Sequence, residues 1–150
     1  MTIVRLSSLK QGDVDEGRAE LDNHADTTVL GSNTALIIHD FERPVRVHGY
    51  DSTVAQRDDC KTVSGVVAYD HPDGTVYYLV FHQAILIPQM TVSLVSSMQL
   101  RDNDIVVNDE PKPMVLNPTN DHHCITVNEA AGRTTALQIP LLLHGVTSYF

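Results

Sequence analysis

The ten residues from Leu21 to Leu30 combine two carboxylates with several small polar side chains. Asp22 follows an apolar residue, and Asp26 comes shortly before two Thr and an apolar pair. Peptide hydrolysis by Asp side chains needs two carboxyl groups that share one proton, because like-charge repulsion then splits their pKa values into those of a base and an acid. Taken alone, Leu21 to Asn23 is equally typical of an ordinary turn, since Asp and Asn side chains hydrogen-bond to their own backbone.

The segment resembles the active-site loop of retropepsins, the aspartic proteases of retroviruses and retrotransposons. Their pattern is apolar-Asp-Ser/Thr-Gly-Ala-Asp-x-Thr, followed by two apolar residues. The resemblance implies that Asp22 is the catalytic carboxylate. It also implies an active-site loop formed by the next five residues, which are Asn23, His24, Ala25, Asp26 and Thr27.

Two positions of this loop differ from the family pattern. Asn23 replaces the Ser or Thr that hydrogen-bonds across the family dimer, and its amide can still donate and accept. His24 replaces Gly, which permits close backbone approach and unusual dihedral angles. Its ring either points into a neighbouring pocket or lies near Asp22, where it favours the ionised carboxylate. For Asp26, contact with the substrate backbone and a turn or cap role both stay open.

The chain contains one loop of this kind, and Asp102, Asp104 and Asp109 do not lie in a second copy. A catalytic pair therefore needs two chains that each provide one Asp22, and an isologous homodimer is the default arrangement. The alternative is a catalytically inactive module of the same fold that serves dimerisation or scaffolding. A third interpretation is a free-standing β-sandwich binding module.

Strand-like patterns dominate the chain and predict an all-β domain with one short helix. Strands are predicted at residues 2–6, 18–21, 44–50, 62–69, 75–81, 82–88, 105–107, 124–127 and 135–143. The turn sequence at 70–74 predicts a hairpin over residues 63–81. Apolar spacing predicts a helix over residues 93–101 with Ser93 as its cap. Residues 1–17 are assigned to an N-terminal extension or flexible strand and loop, and residues 18–150 to the domain.

The order of the elements is similar to that of a retropepsin protomer, which is a small closed β-barrel with one short helix in its C-terminal half. In that family a glycine-containing flap follows the Asp loop. The residues at the corresponding offset, which the resemblance implies to be the flap and to bind substrate, are Val47, His48, Gly49 and Tyr50. An ordinary turn glycine is the alternative for Gly49.

The closer resemblance is to the protease region of Ty1/copia-type retrotransposon polyproteins. There, an apolar strand ending in Pro is followed by a Leu-Leu-Ser-like helix start, as Pro88 and residues 94–96 are arranged here. Some copia-like elements of microbial eukaryotes also carry His-Ala-Asp-Thr, as at residues 24–27. The resemblance spans residues 18–150 and implies an endopeptidase that cleaves its own polyprotein in the cytoplasm, within virus-like particles. The apolar run from Leu137 to Leu143 is predicted to pair between the two chains.

Composition narrows the remaining function classes. The formal net charge of −9 disfavours nucleic acid and anionic membrane surfaces as partners. The two cysteines, Cys60 and Cys124, lie far apart and suggest free thiols in a reducing compartment. His122, His123 and Cys124 are contiguous but lack the spacing of a metal site, so neither a metal nor a cofactor is expected. The expected partners are a second copy of the chain and a peptide substrate.

Overall fold

The computed structural model describes residues 1–6, 18–48, 56–128 and 135–150, with residues 2–6 described as backbone only. These residues are mostly β-strand with one short α-helix, which confirms the predicted all-β class. The strands are β1 (Thr2–Leu6), β2 (Ala19–Asp22), β3 (Val29–Leu30), β4 (Leu36–Val47), β5 (Arg57–Asp70), β6 (Val76–Leu86), β7 (Ser93–Ser96), β8 (Val106–Asn108), β9 (Cys124–Val127), β10 (Leu137–Pro140), β11 (Leu142–His144) and β12 (Thr147–Tyr149). The helix α1 spans Ser97–Arg101, and a 3-10 turn spans Lys112–Met114.

β5 and β6 form a long hairpin near the β4 end of the main sheet, which confirms the predicted hairpin. Its turn is closed by the N–H of His71 on the carbonyl of Thr75 at 2.9 Å. Gly74 adopts a φ of +81° there, a conformation that glycine reaches without a steric penalty. The two strands predicted at 75–81 and 82–88 are one strand, because β6 pairs with β5 on both sides of a register shift at His82 and Gln83, where Gln83 has a positive φ.

The main sheet of the described residues has the order β11-β12-β2-β7-β3-β6-β5-β4, and β1 pairs with β6. β1 and β3 share one edge of β6, with β1 opposite residues 76–80 and β3 opposite residues 85–86. Within the described part of the chain, β11 and β4 are the two ends of this order and do not pair with each other. The expected closed barrel is therefore not found.

The segment predicted as a helix over residues 93–101 divides into a strand and a helix. β7 pairs in parallel with β2 on one side and antiparallel with β3 on the other, so backbone pairing on both edges outweighs the helical spacing of its apolar residues. The helix begins only at Ser97. Ser96, and not the predicted Ser93, is the cap, because its Oγ accepts the N–H of Gln99 at 3.0 Å.

Two other strand predictions need correction. β4 begins at Leu36 and ends at Val47, so it starts earlier than predicted, and the predicted end at Gly49 and Tyr50 lies outside the described residues. The run 135–143 is divided between two sheets. Its first part, β10, joins β9 and β8 in a three-stranded sheet, whereas its last part, β11, pairs with the unpredicted β12.

The core lies between these sheets and is built from aliphatic and aromatic side chains. The largest fully buried apolar side chains are Tyr77, Leu30, Leu79, Ile125, Leu137, Ile139, Val63 and Val95. β2 contributes Ala19 and Leu21 to this core. The side chains of Glu20 and Asp22, which alternate with them along the strand, are less buried. The period of two along a strand therefore turns the Asp22 carboxylate away from the core.

Candidate active site

Asp22 is the last residue of β2 and lies within the main sheet. β2 pairs with β12 on one edge and with β7 on the other, and Asp22 is directly opposite Ser96 in the parallel pair. The Asp22 side chain keeps 30% of its accessibility. The position thus combines a rigid strand end with a carboxylate that solvent or a second molecule can reach.

The Asp22 carboxylate also forms the turn that follows the strand. Its Oδ1 accepts the backbone N–H of His24 at 2.8 Å. This is the local hydrogen bond by which Asp side chains stabilise turns. The two interpretations of the segment as a turn and as a functional loop are therefore compatible, because the same carboxylate is both a turn acceptor and an exposed acid.

The His24 ring lies near the carboxylate but in solvent. Its Nδ1 is 3.9 Å from Asp22 Oδ1, and the side chain is 100% exposed. Because the ring is fully exposed, water and salt screen any interaction between it and the carboxylate. Two orientations were considered from the sequence, one into a neighbouring pocket and one near Asp22. The ring adopts the orientation near Asp22 and remains in solvent.

The loop after Asp22 crosses the end of β7. Its two flanking strands, β2 and β3, lie on opposite sides of β7, so residues 23–28 pass over the point where β7 becomes α1. Ser96 is located at that point, and its Oγ donates to the carbonyl oxygen of Ala25 at 2.6 Å. The loop is thus held near its midpoint as well as at both ends.

Thr28 anchors the far end of the loop. It is fully buried, and its N–H donates to Gln99 Oε1 at 2.9 Å while its Oγ1 accepts the N–H of Ser96 at 3.2 Å. The carbonyl of Thr28 accepts the N–H of Ile85 at 2.9 Å, which attaches the loop to β6. Each polar backbone group of Thr28 therefore has a partner inside the protein.

The chain leaves the loop through a close backbone contact at Gly31. A Cβ at this position would lie 2.5 Å from the carbonyl oxygen of Met90 and 2.9 Å from that of Val92. The N–H of Gly31 donates to Ser93 Oγ at 3.1 Å. The segment before β7 therefore packs directly on the backbone that follows β3, and only glycine fits there without a shift.

The other predicted loop residues are close to the surface. Asn23 and Asp26 are exposed, whereas Ala25 and Thr27 are half-buried. The structure thus brings the predicted loop together around Asp22, with its polar side chains directed outward. For Asp26, exposure is compatible with both roles considered from the sequence.

The predicted flap residues lie elsewhere in the sheet order. Val47 is half-buried at the end of β4, and His48 is exposed just beyond it. In the sheet order β4 is separated from β2 by β7, β3, β6 and β5, so strand pairing does not bring these two residues to the Asp22 loop. Gly49 and Tyr50 lie outside the described residues.

Sequence reasoning missed Ser96, Gln99 and Thr28 as parts of the site. A signal was present, because Ser96 and Gln99 have the Ser-x-x-Gln spacing of a capping box. In a capping box the Gln side chain returns to the cap residue. Here it instead accepts the N–H of Thr28, and only the fold makes that partner accessible.

Two concave regions occur on the β5 side of the sheet. One, of about 360 Å³, is lined by residues 57–61 and 86–89, and the other, of about 280 Å³, by residues 44–46 and 58–59. Neither contains a residue of the Asp22 loop.

Cys60 and Cys124 are free and buried. Within the ranges that the structure describes, no three His, Cys, Asp or Glu side chains cluster as metal ligands would, and no helix has the length and apolar character to cross a bilayer.

No family model, curated protein or solved structure matches this chain. The chemistry of the site is therefore inferred from its own residues and geometry.

Proposed function

We propose that the chain is an aspartic endopeptidase whose active site contains one Asp22 from each of two identical chains. The observation that carries the proposal is the position of Asp22, a 30% exposed carboxylate at the end of an internal strand. Its loop is held in place by two partly buried hydrogen bonds, one that Ser96 Oγ donates to the Ala25 carbonyl and one that Gln99 Oε1 accepts from the Thr28 N–H. Such support of an exposed acid is more than a solvated turn requires.

The chemistry follows from pairing two such carboxylates. In a symmetric pair one carboxyl group stays protonated and the other is ionised, because like charges close together cannot both ionise. The ionised group takes a proton from water as the water oxygen attacks the carbonyl carbon, and the protonated group donates its proton to the carbonyl oxygen. The C–N bond of the resulting tetrahedral diol then breaks as the nitrogen takes a proton from the carboxyl group that gained one, which releases an amine and a carboxylic acid. The pair titrates as a unit, so its pH dependence belongs to both chains together.

The sheet edge close to Asp22 supports association with a second copy. β11 is the terminal strand of the main sheet, and β12 alone separates it from β2. Leu142, Leu143 and Val146 are 55%, 40% and 99% exposed there. An open edge with apolar side chains readily pairs with another chain. Among the described strands, β10 and β11 are each paired on one edge only. The interchain role proposed for residues 137–143 is assigned to β11, because β11 belongs to the sheet that contains Asp22.

The substrate would be an extended segment of a retroelement polyprotein of the Ty1/copia type, cleaved in the cytoplasm within virus-like particles. An extended peptide would bind by main-chain pairing. The retropepsin-type barrel is part of the same proposal, with the second chain completing the site.

A second candidate function is a catalytically inactive module of the same fold that serves dimerisation or scaffolding. The observation that favours it is His24, whose Nδ1 lies 3.9 Å from Asp22 Oδ1. Gly at this position of the retropepsin pattern permits close backbone approach, whereas the imidazole of His24 fills space beside Asp22 where a partner loop would have to approach. Both candidates predict a dimer, and they differ in whether a peptide bond is cleaved.

The deciding experiment compares Asp22→Asn with wild type on a polyprotein fragment that contains the chain and its flanking segments. Cleavage should disappear in Asp22→Asn while circular dichroism and the melting temperature stay close to wild type. Asp104→Asn is the matched control, because Asp104 is exposed, lies outside the loop, and has a positive φ that Asn tolerates. Cleavage that survives in Asp22→Asn would reject the protease, and a wild-type dimer that never cleaves would favour the scaffold.

A further inference from the structure

The segment beneath the Asp22 loop contains a closed cycle of hydrogen bonds. The N–H of Ser96 donates to Thr28 Oγ1 at 3.2 Å, and the N–H of Thr28 donates to Gln99 Oε1 at 2.9 Å. The N–H of Gln99 then donates to Ser96 Oγ at 3.0 Å. Each of the three residues thus gives its backbone N–H to a side-chain oxygen of another member.

The one hydroxyl proton of Ser96 is directed out of this cycle and into the loop. Ser96 Oγ accepts from Gln99 and donates to the Ala25 carbonyl at 2.6 Å, which is a short contact for an O–H donor. A serine hydroxyl can fill both roles at once. Ser96 therefore joins the helix start, the strand β7 and the midpoint of the loop through a single atom.

We infer that Ser96 and Gln99 are positioning residues that hold the Asp22 loop in its working geometry within each chain, before a partner binds. The inference rests on the proposed function, because it assigns the cycle a role in aiming the Asp22 carboxylate. Ser96 is opposite Asp22 in the β2–β7 pair, so the same residue sets the loop at its start and at its midpoint. Gln99 sets the end of the loop through Thr28.

Because the cycle is largely buried, each of its members depends on its partner for a hydrogen bond. Thr28 and Ser96 are fully buried, so a member that loses its partner cannot recover a hydrogen bond from bulk water. Hydrogen bonds in such a network also strengthen one another. Loss of Gln99 Oε1 therefore releases the Thr28 N–H and loosens the end of the loop, while the strands on either side keep their own pairing.

Loosening the loop should slow the chemical step much more than it weakens substrate binding. A displacement of about 1 Å in a reacting group can cost about 100-fold in rate. Substrate binding by main-chain pairing depends on other surfaces. Gln99→Leu and Ser96→Ala should therefore lower kcat by about 10- to 100-fold while KM changes by less than about threefold.

Two variants serve as matched comparisons. Gln99→Glu keeps an acceptor oxygen for the Thr28 N–H, and a Glu in the first helical turn also suits the helix dipole. It should restore most of the kcat that Gln99→Leu loses. Ser97→Ala makes the same substitution as Ser96→Ala one residue later, at a buried position outside the cycle, and should leave kcat near wild type.

The test combines steady-state kinetics with amide hydrogen exchange followed by NMR, with urea unfolding to confirm that each variant is folded. In wild type the Thr28 amide should exchange slowly. It should exchange at least about 10-fold faster in Gln99→Leu, and at the wild-type rate in Gln99→Glu. The Gln99 amide should lose protection in Ser96→Ala and keep it in Ser97→Ala.

The exchange measurement separates this inference from the proposed function. Slow Thr28 exchange in Gln99→Leu would overturn the inference, and so would fast exchange together with unchanged kcat. If wild type shows no cleavage but Thr28 protection is lost in Gln99→Leu, the protease is rejected and the loop-holding role of the cycle is supported. Should Gln99→Leu fail to fold, Gln99→Ala provides the same comparison with a smaller side chain.

Discussion

Asp22 and Ser96 lie directly opposite each other at the ends of two parallel strands, where one provides an exposed carboxylate and the other a buried hydroxyl. The pair explains how a loop that is polar and exposed can still be well defined. The Asp22 carboxylate is partly exposed at these strand ends, whereas the Ser96 hydroxyl, which holds the loop, is buried.

The first prediction concerns His24. His24→Gly removes an imidazole whose Nδ1 is 3.9 Å from Asp22 Oδ1, and leaves the backbone N–H that the carboxylate accepts. Because the ring is fully exposed, its effect is screened, and the cleavage rate at pH 6 should change by less than about fivefold at physiological salt. The difference between the two enzymes should shrink further as NaCl is raised. A change above about 50-fold would mean that the ring contacts the carboxylate pair in the dimer.

The second prediction concerns association. Leu142→Lys places a charge on the open edge of β11, and charged side chains on an edge strand oppose pairing with another chain. Sedimentation velocity at high micromolar concentration should show a dimer for wild type and a shift toward monomer for Leu142→Lys. Leu116→Lys is the control, since Leu116 is 90% exposed but lies outside every strand. A wild type that is monomeric at all concentrations would contradict both candidate functions.

The third prediction concerns Gly31. Gly31→Ala directs a Cβ at the carbonyl oxygens of Met90 and Val92, at 2.5 and 2.9 Å, so the backbone before β7 must shift. Such overpacking should lower the free energy of unfolding by about 1–3 kcal/mol in urea titrations. Gly74→Asn is the comparison, because no atom lies within 4 Å of the added Cβ and Asn tolerates the positive φ. Equal stability of wild type and Gly31→Ala would show that this contact is not tight.

The fourth prediction concerns Asp73 in the β5–β6 turn. Hydrogen bonds from Thr75 lower the pKa of Asp73 from 3.8 to about 2, with a smaller contribution from His71. A carboxyl whose pKa is depressed in the folded state stabilises the protein above its unfolded value, and this stability is lost as the pH falls from about 4 toward 2. In Asp73→Asn this part of the acid dependence should be absent. NMR titration of the Asp73 side chain checks the value directly, and a midpoint near 4 would contradict it.

The fifth prediction concerns His123, which connects the two sheets. Its Nε2 lies 2.9 Å from Ser148 Oγ, and Ser148 belongs to the strand that pairs with β2. Burial lowers the pKa of His123 below 6.5, with a smaller contribution from Lys112. The unfolded chain therefore binds a proton at higher pH than the folded chain, so stability should fall as the pH drops below about 6.5.

Melting temperatures between pH 7.5 and 5.5 test the role of His123. His123→Asn keeps a residue that tolerates the positive φ of 56° and removes the titrating ring, so its melting temperature should vary less over this range. His144→Asn, at an exposed position, is the control and should keep the wild-type slope. An identical slope in His123→Asn and wild type would exclude His123 as the source.

Local sequence patterns predicted much of the strand content. Runs of strand-favouring residues located β9 and most of β5, and the turn at 70–74 correctly predicted the hairpin with β6. These elements were predictable because side-chain alternation and turn chemistry depend on neighbouring residues. The strand β7 was missed for the opposite reason, since its partners β2 and β3 are distant in sequence.

In the candidate site, too, some features depend on neighbouring residues and others depend on the fold. The sequence by itself determined that Asp22 is followed by a turn-forming, polar segment with a second acid, and that the chain carries one such loop. Only the tertiary structure decided that Ser96, Gln99 and Thr28 close a cycle beneath that loop, and that the predicted Leu137–Leu143 strand divides between two sheets. The physical reason is that Thr28 is 68 residues from Ser96 and 71 from Gln99, so the hydrogen bonds that join the loop to the helix start exist only after the strands have paired.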